Sequence, residues 1–394
     1  MYDISKKMLI IILYHIFKLF PIKRNVIVFE SSVGRSFSGN PRAIYEEMIS
    51  NGMDKVYKIV WVLNVTNNEI PGNCRKVKRE SLLYAYYLAV AKYWVFDGRH
   101  PRYFYKRRGT IYLQTWHGTP LKKIGLDLER VFMNQRDTLE NYKKAFLKNV
   151  RQWDILLSQN HYSTQIFRKA FGFDKVIAEI GYPRNDRLLN SNPVTERERL
   201  KAARGWKNKR VILYAPTWRD DKHISNNVYD FELKLDLRKF IKTFDDNVIL
   251  VIRTHYLNTT PQYSDFGGRI VVSCENDDLR DLMLMSDLLI TDYSSIMFDF
   301  SLLKRPMIFF VYDLEFYRDC LRGFYFDLSV EAPGPLVVDN ESLLKEIQRI
   351  LSDPDEYWGH FGERYNSFRS KFNHADDGKA SQKAIELLLS HSNG

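Results

Sequence analysis

The sequence predicts an α/β protein built from two doubly wound, parallel-sheet domains that face each other. Three observations carry this. Apolar strand-like runs alternate with helical patterns along the chain, the alternation comes as two series, and a polar, charged stretch at 188–209 separates them. With 394 residues, 45% hydrophobic and 14% aromatic, the chain is long enough for two ordinary domains and has a globular rather than disordered composition.

The first element is the run "KKMLIIILYHIFKLFPIKRN". Its apolar part, 8–20, contains His15 and Lys18, lacks a small-residue cleavage site, and falls short of the roughly 20 residues that span a bilayer. It is read as an interfacial helix within 1–24, lying on the cytoplasmic membrane leaflet. Lys6, Lys7, Lys18, Lys23 and Arg24 would meet anionic headgroups, while Leu9, Ile12, Ile16, Leu19 and Phe20 enter the acyl boundary. The plain alternative is a core helix packed under the first strand, and both can hold at once.

An N-terminal domain is expected over 25–190. "NVIVFESSVGRSFSGNPRAIYEEMI" reads as a buried strand at 26–30, a Ser/Gly loop and a helix opening near Pro41. "KIVWVLN" is the next strand, 81–92 is helical, and "YWVFDG" and "TIYLQTWHG" are further strands. A helical stretch at 128–151 follows, then short strands in "DILLSQN" and "VIAEIGYPRND". A C-terminal domain is expected over 205–375, from "RVILYAPTWRDD", "NVILVIRTHY", "RIVVS", "DLLITDYSSIMFDF" and "PMIFFVYD". The amphipathic tail at 376–394 suits a helix packed back on either domain.

Ligands of such sheets bind at the carboxyl ends of strands. Five strand ends carry unusual polar residues: His117, Gly118 and Thr119; Arg184, Asn185 and Asp186; Thr217, Trp218 and Arg219; Arg253, Thr254 and His255; and Thr291, Asp292, Ser294 and Ser295. A lone histidine near a turn is more often a structural hydrogen-bonder, but five such ends together indicate a site. Ser294 or Ser295 is placed to cap a helix whose first N–H groups accept phosphate, or to cap that helix and nothing more. Asp299, about one turn further, is a candidate for a ribose hydroxyl. Arg253 and His255 suit a diphosphate whose leaving group gains charge, although Arg253 could simply pair with a carboxylate. "HGTPLKK" offers a candidate base with backbone N–H groups and Lys122 and Lys123 nearby, unless these lysines are only a solvated face.

Several chemistries lose ground. No Walker A, GxGxxG, HExxH or GxSxG pattern occurs, which disfavours P-loop hydrolysis, dinucleotide redox, zinc proteolysis and serine esterase activity. Cys74, Cys274 and Cys320 lie far apart and form no zinc cluster, and the paired aspartates lack DxD spacing. No metal and no cofactor are required. The excess of 59 Lys+Arg over 48 Asp+Glu favours anionic partners.

"WHGTPLKKIGLD", "GYPRND", "YAPTWRDD", "IRTH" and "TDYSSIMFDF", in this order, and the closing "DDGKAS" resemble the CDP-glycerol glycerophosphotransferase family of wall teichoic acid biosynthesis in Gram-positive bacteria, from about residue 25 to the C-terminus. The resemblance implies a GT-B-like fold, two Rossmann-like domains facing across a cleft, with an acceptor-side N-terminal and a donor-side C-terminal domain. It places the family's two important histidines on His117 and His255. By analogy His117 takes the proton of an acceptor hydroxyl that attacks the glycerol-side phosphorus of CDP-glycerol. CMP leaves, steadied by His255, Arg253 and the helix beginning at Ser294–Ser295, with Thr217, Arg219, Thr291, Asp292 and Asp299 on the donor side. Gly118, Thr119, Lys122, Arg184 and Asp186 fall on the acceptor side.

The implied acceptor is a polyprenyl-diphosphate-linked disaccharide or a short glycerol phosphate primer at the inner membrane surface. The chain lacks the long N-terminal region of the large polymerases and looks more like the short members, with glycerol or ribitol phosphate polymerisation as alternatives. Other readings are a GT-B sugar transferase or UDP-sugar epimerase, and a non-catalytic membrane-associated scaffold. A nucleic-acid partner is not expected: "YFYKRRG" at 103–109 interleaves Tyr and Lys, but no RNP, KH or helix-turn-helix signature accompanies it.

Overall fold

The computed structural model describes residues 2–67, 69–130, 138–217, 219, 223–225, 228–229, 232–253, 267–274 and 277–391, the side chains at 2–6, 223–225 and 228–229 excepted. Two compact units result. One gathers Met1–His117, Lys143–Asp186 and Ala375–Gly394; the other gathers Gly118–Tyr142 and Arg187–His374. This division differs from the linear one expected from the sequence at 118–142, and it places the tail with the first unit, one of the two placements the sequence left open.

The first unit holds a seven-stranded sheet in the order β3-β2-β1-β4-β5-β6-β7, all neighbours parallel, formed by β1 (Lys23–Glu30), β2 (Lys58–Leu63), β3 (Cys74–Lys78), β4 (Ala91–Phe96), β5 (Ile111–Gln114), β6 (Ile155–Ser158) and β7 (Val176–Glu179). The order reverses between β1 and β4, the place where doubly wound sheets open a crevice at their carboxyl ends. Strands buried on both faces need continuous apolar runs, and β1 is buried from Val26 to Glu30. In register, Phe29 lies opposite Trp61 on β2 and Val95 on β4. Phe29 stacks on Trp61 at 5.4 Å, and Tyr45, from the helix Gly39–Ser50, meets both rings edge-on. The tail helix Ala380–Ser390 completes this core with Ala384, Ile385 and Leu388. Asp186 anchors it, its carboxylate accepting the N–H groups of Ala380 (3.0 Å) and Ser381 (2.7 Å) as an N-terminal cap does.

The N-terminal helix Tyr2–Phe17 packs on the first unit along one face and leaves an apolar face exposed. Ile10 and Tyr14 are buried, Tyr14 packs edge-on against Phe104 at 4.7 Å, and Phe17 meets Tyr86 at 5.4 Å. Met8, Leu9, Ile12, Ile16, Leu19 and Phe20 remain exposed, Leu19 by 84%, and so include every apolar residue assigned to the acyl boundary. The Lys6 side chain lies outside the described residues. Among the described residues no helix is long and apolar enough to cross a membrane.

The second unit holds a six-stranded parallel sheet in the order β12-β11-β8-β13-β14-β15, with β8 (Arg210–Ala215), β11 (Val248–Ile252), β12 (Ile270–Val272), β13 (Leu288–Thr291), β14 (Met307–Phe310) and β15 (Leu336–Val337). A small hairpin, β9 (His223–Ser225) with β10 (Val228–Tyr229), follows β8. Here the order reverses between β8 and β13. The segment after His117 belongs to this unit because its backbone pairs there: Lys123 N–H donates to Gly323 O at 3.0 Å and Tyr325 N–H to Leu121 O at 2.8 Å. The Tyr325 hydroxyl adds a hydrogen bond to Asp127 at 2.8 Å. Of the helix expected at 128–151, the described part is Leu139–Val150. Leu128 instead ends a single turn, Gly125–Asp127, in extended backbone.

Candidate active site

At the carboxyl edge of the first sheet, β5 runs through Thr115 and Trp116 to His117. Trp116 adopts a left-handed conformation, φ 53°, which costs a non-glycine residue roughly 1–2 kcal/mol. Neighbouring contacts hold this turn. The Trp116 ring stacks on the His117 imidazole at 4.4 Å and packs on Phe171 at 4.6 Å. The buried Asn40 side chain donates to the carbonyls of Thr115 (3.2 Å) and Trp116 (3.1 Å), and its oxygen accepts the Arg184 N–H at 3.2 Å. The Arg184 guanidinium donates to the His117 carbonyl at 2.7 Å.

The imidazole itself is oriented by a backbone carbonyl. His117 Nδ1 lies 3.0 Å from Asp97 O. A carbonyl only accepts, so Nδ1 carries the proton in the neutral ring and Nε2 keeps its lone pair. His117 retains a solvent-accessible surface, yet the protein packed around its ring disfavours the imidazolium, and Arg184 and Arg99 add like-charge repulsion. Against the opposing pull of the Asp97 carbonyl, these push its pKa below the ordinary 6.5. The ring is thus neutral near pH 7, the state in which an imidazole can accept a proton.

Asp97 is buried just beyond β4 and accepts the Ser32 N–H at 2.8 Å. Burial pushes its carboxyl up to about 7, with Glu30 adding to the rise and the Ser32 N–H, Arg184 and Arg35 opposing it. Asp186, by contrast, spends its carboxylate on the tail helix, which makes it a structural anchor of the loop after β7. Asp376, in the closing "DDGKAS", ties the same loop down by accepting from Tyr182 N–H (3.0 Å), Asn185 Nδ2 (3.1 Å) and Gln159 Nε2 (2.9 Å).

In the second unit the reversal between β8 and β13 brings Thr217 and Arg219 to Asp292. Both Asp292 carboxylate oxygens accept the Thr217 N–H, at 2.8 and 3.0 Å, and one also accepts the Tyr293 N–H at 2.6 Å. Arg219 bridges Asp292 (3.0 Å) and Asp313 (2.7 and 2.9 Å), donates to Thr217 O at 2.6 Å, and sits among the rings of Tyr293, Tyr312 and Tyr317. Burial opposes its charge, but Asp292, Asp313 and Tyr312 outweigh it and raise its pKa. Arg219 and Asp292, expected as phosphate ligands, are therefore engaged with each other beneath the strand ends. The Thr291 hydroxyl is likewise engaged, with Ala215 O at 2.8 Å, and Asp299 is 2% exposed.

Three groups remain suited to a ligand. Thr217 Oγ1 is buried without a hydrogen-bond partner among the described residues. Ser294 and Ser295 are half-buried at the start of the five-residue helix Ile296–Phe300, and Ser295 makes no side-chain cap bond. Gly118 approaches them so closely that an added Cβ would lie 2.7 Å from Ser295 Oγ and force that side chain to move. Thr119 is buried, Lys122 holds its ammonium 5.7 Å from the Tyr317 ring centre, and Arg253 donates to Ser273 Oγ at 3.3 Å and to the Cys274 carbonyl. Trp218, Thr254 and His255 lie outside the described residues. Among the described residues no group of three or more His, Cys, Asp or Glu side chains is arranged to hold a metal ion.

A family profile described as CDP-Glycerol:Poly(glycerophosphate) glycerophosphotransferase matches residues 12–390. The chain belongs to this family. It is similar to a teichoic acid poly(glycerol phosphate) polymerase of Bacillus spizizenii, 42% identical over 386 residues, 96% of this chain and 95% of that one. It is also similar to a teichoic acid glycerol-phosphate transferase of Staphylococcus aureus, 39% identical over 397 residues and 98% of each chain. Among solved structures, a variant of the wall teichoic acid polymerase TagF soaked with CDPG superposes with a TM-score of 0.86 at 37% identity, covering 95% of this chain and 92% of that one. The fold is therefore GT-B-like, and this glycerophosphotransferase uses CDP-glycerol in teichoic acid biosynthesis.

Proposed function

We propose that this glycerophosphotransferase moves glycerol phosphate from CDP-glycerol onto a polyprenyl-diphosphate-linked disaccharide or a short glycerol phosphate primer, releasing CMP. The observation that carries the reading is the His117 ring, neutral near pH 7 and held with Nε2 unprotonated. Nε2 removes the proton of the acceptor hydroxyl as its oxygen attacks the glycerol-side phosphorus, and the bond from that phosphorus to the CMP oxygen breaks. The Thr217 hydroxyl, Ser294, Ser295 and Arg253 are the donor-phosphate ligands, and His255 steadies the departing CMP. Arg184, Thr119 and Lys122 line the acceptor side.

Polymerisation is the second reading, and one observation favours it. A relative named a poly(glycerol phosphate) polymerase matches over 95% of its own length, so a short chain does not by itself indicate a primer-adding role. Incubating the protein with CDP-glycerol and a synthetic lipid-linked disaccharide, then sizing the product, separates the two. CMP release with one or a few units added is the expected result. A long ladder replaces it with the polymerase reading, and no CMP release from either a bare or a primed acceptor removes the transferase assignment to this acceptor class.

The exposed apolar face of the N-terminal helix, flanked by Lys7, Lys18, Lys23 and Arg24, supports peripheral attachment to an anionic leaflet. The double change Ile12→Glu and Leu19→Glu is expected to weaken binding to vesicles containing phosphatidylglycerol at least tenfold, because each removes an inserted side chain and adds repulsion. Unchanged co-sedimentation with those vesicles would sink the membrane role of this face.

A further inference from the structure

We infer that Asn40 is a positioning residue for the transfer reaction, acting through His117. This rests on the reading of His117 as general base. Asn40 is 1% exposed and lies in the first turn of the helix Gly39–Ser50 that follows β1, on the other side of the strand-order reversal from the base it serves. Its amide is used from both ends. The two hydrogen bonds from Nδ2 fix the carbonyls of Thr115 and Trp116, the peptide groups that set the direction in which the chain enters His117. Its oxygen fixes the backbone of Arg184, whose guanidinium closes on the carbonyl of His117.

These bonds add to the turn's own, Trp116 N–H to Gln114 Oε1 at 3.0 Å and the Thr115 hydroxyl to Trp116 O at 3.1 Å, and they tie the turn to the rest of the unit. Trp116 sits in the left-handed region, from which an unrestrained tryptophan would relax. Relaxation there rotates the peptide plane that carries His117, and Nδ1 would leave the Asp97 carbonyl 3.0 Å away. The ring could then adopt the other tautomer, with Nε2 protonated and no longer a base. Few side chains can do this task. It needs two donors and one acceptor in one plane within a buried space, and an aspartate of the same shape would turn acceptor oxygens toward two carbonyls.

The test compares the purified full chain with Asn40→Asp, Asn40→Ser, His117→Ala and the double variant Asn40→Asp/His117→Ala, assaying CMP release from CDP-glycerol with the lipid-linked acceptor. Asn40→Asp is expected to lower kcat about 100-fold, the loss that a misplacement of about 1 Å brings, with the KM for CDP-glycerol within about twofold of wild type. On the His117→Ala background the same change is expected to cost nothing further, since a residue acting through His117 has nothing left to position. Asn40→Ser, whose hydroxyl reaches at most one of the two carbonyls, keeps the test usable should the aspartate variant not fold, and is expected to lower kcat alone.

A kcat within about threefold of wild type in both Asn40 variants overturns the inference, as does an equal loss on both backgrounds, which would mark Asn40 as acting independently of the histidine. If His117→Ala itself retains wild-type turnover, the general-base reading falls instead. Assigned ring 15N shifts of wild-type His117 provide a measurement free of folding effects. They are expected to report the Nδ1–H tautomer at pH 7.5, and the Nε2–H tautomer would refute the geometry on which the inference stands.

Discussion

Replacing His117 by alanine is expected to lower turnover about 10²–10⁴-fold, the contribution of a positioned general base, while the KM for CDP-glycerol stays within about threefold. The direction of the pH dependence follows from the site. A base must be unprotonated to act, and the pKa of His117 is held below 6.5 by the protein around its ring and by Arg184 and Arg99. Activity should therefore persist as pH falls through 6.5, and drop about tenfold per unit only below the lowered pKa. Arg99, whose guanidinium lies over the Phe146 ring, repels the imidazolium, so Arg99→Gln should move the acid limb toward higher pH. The measurement is kcat/KM between about pH 5 and 8 for the three proteins. An acid limb at or above 6.5 in the wild type, or His117→Ala turnover within fivefold of wild type, would remove His117 from the base role.

What was legible in the sequence is what local pattern encodes. Runs such as "NVIVFE" and "DLLIT" must be strands buried on both faces, and the polar residues that follow them mark the carboxyl edges of the sheets. β3 escaped because "CRKVK" lies at a sheet edge and buries only Val77, which leaves no apolar run to read. Asn40, Asp97 and Asp313 escaped for a different reason. Asp97 and Asp313 follow strand runs, the same signal that singled out five other sites, and Asn40 opens a helix, but the importance of each lies in partners 20 to 144 residues away. The same limit governs 118–142. Nothing within "GTPLKKIGLD" says that Leu121 and Lys123 pair with backbone two hundred residues further on, so the segment was read with the strand it follows.

The same distinction separates residues that meet substrate from residues that build the place where it binds, and Asp292 tests it. By sequence it is a phosphate-site aspartate. In the fold it is 1% exposed and holds Arg219 and the N–H groups of Thr217 and Tyr293. Asp292→Ala leaves two buried donors unpaired and Arg219 with Asp313 as its remaining carboxylate partner, and breaking a buried pair in this way costs about 3–5 kcal/mol. For a unit of this size the melting temperature should fall on the order of 10 °C. Asp292→Asn retains an acceptor for the Thr217 N–H but loses the charge, so its loss should be smaller, about 1–3 kcal/mol. Thermal unfolding followed by circular dichroism ranks the three proteins. If Asp292→Ala melts within about 2 °C of wild type while its KM for CDP-glycerol rises steeply, the carboxylate is a ligand of the donor rather than the strut beneath it, because a strut cannot be removed from a buried cluster without loss of stability.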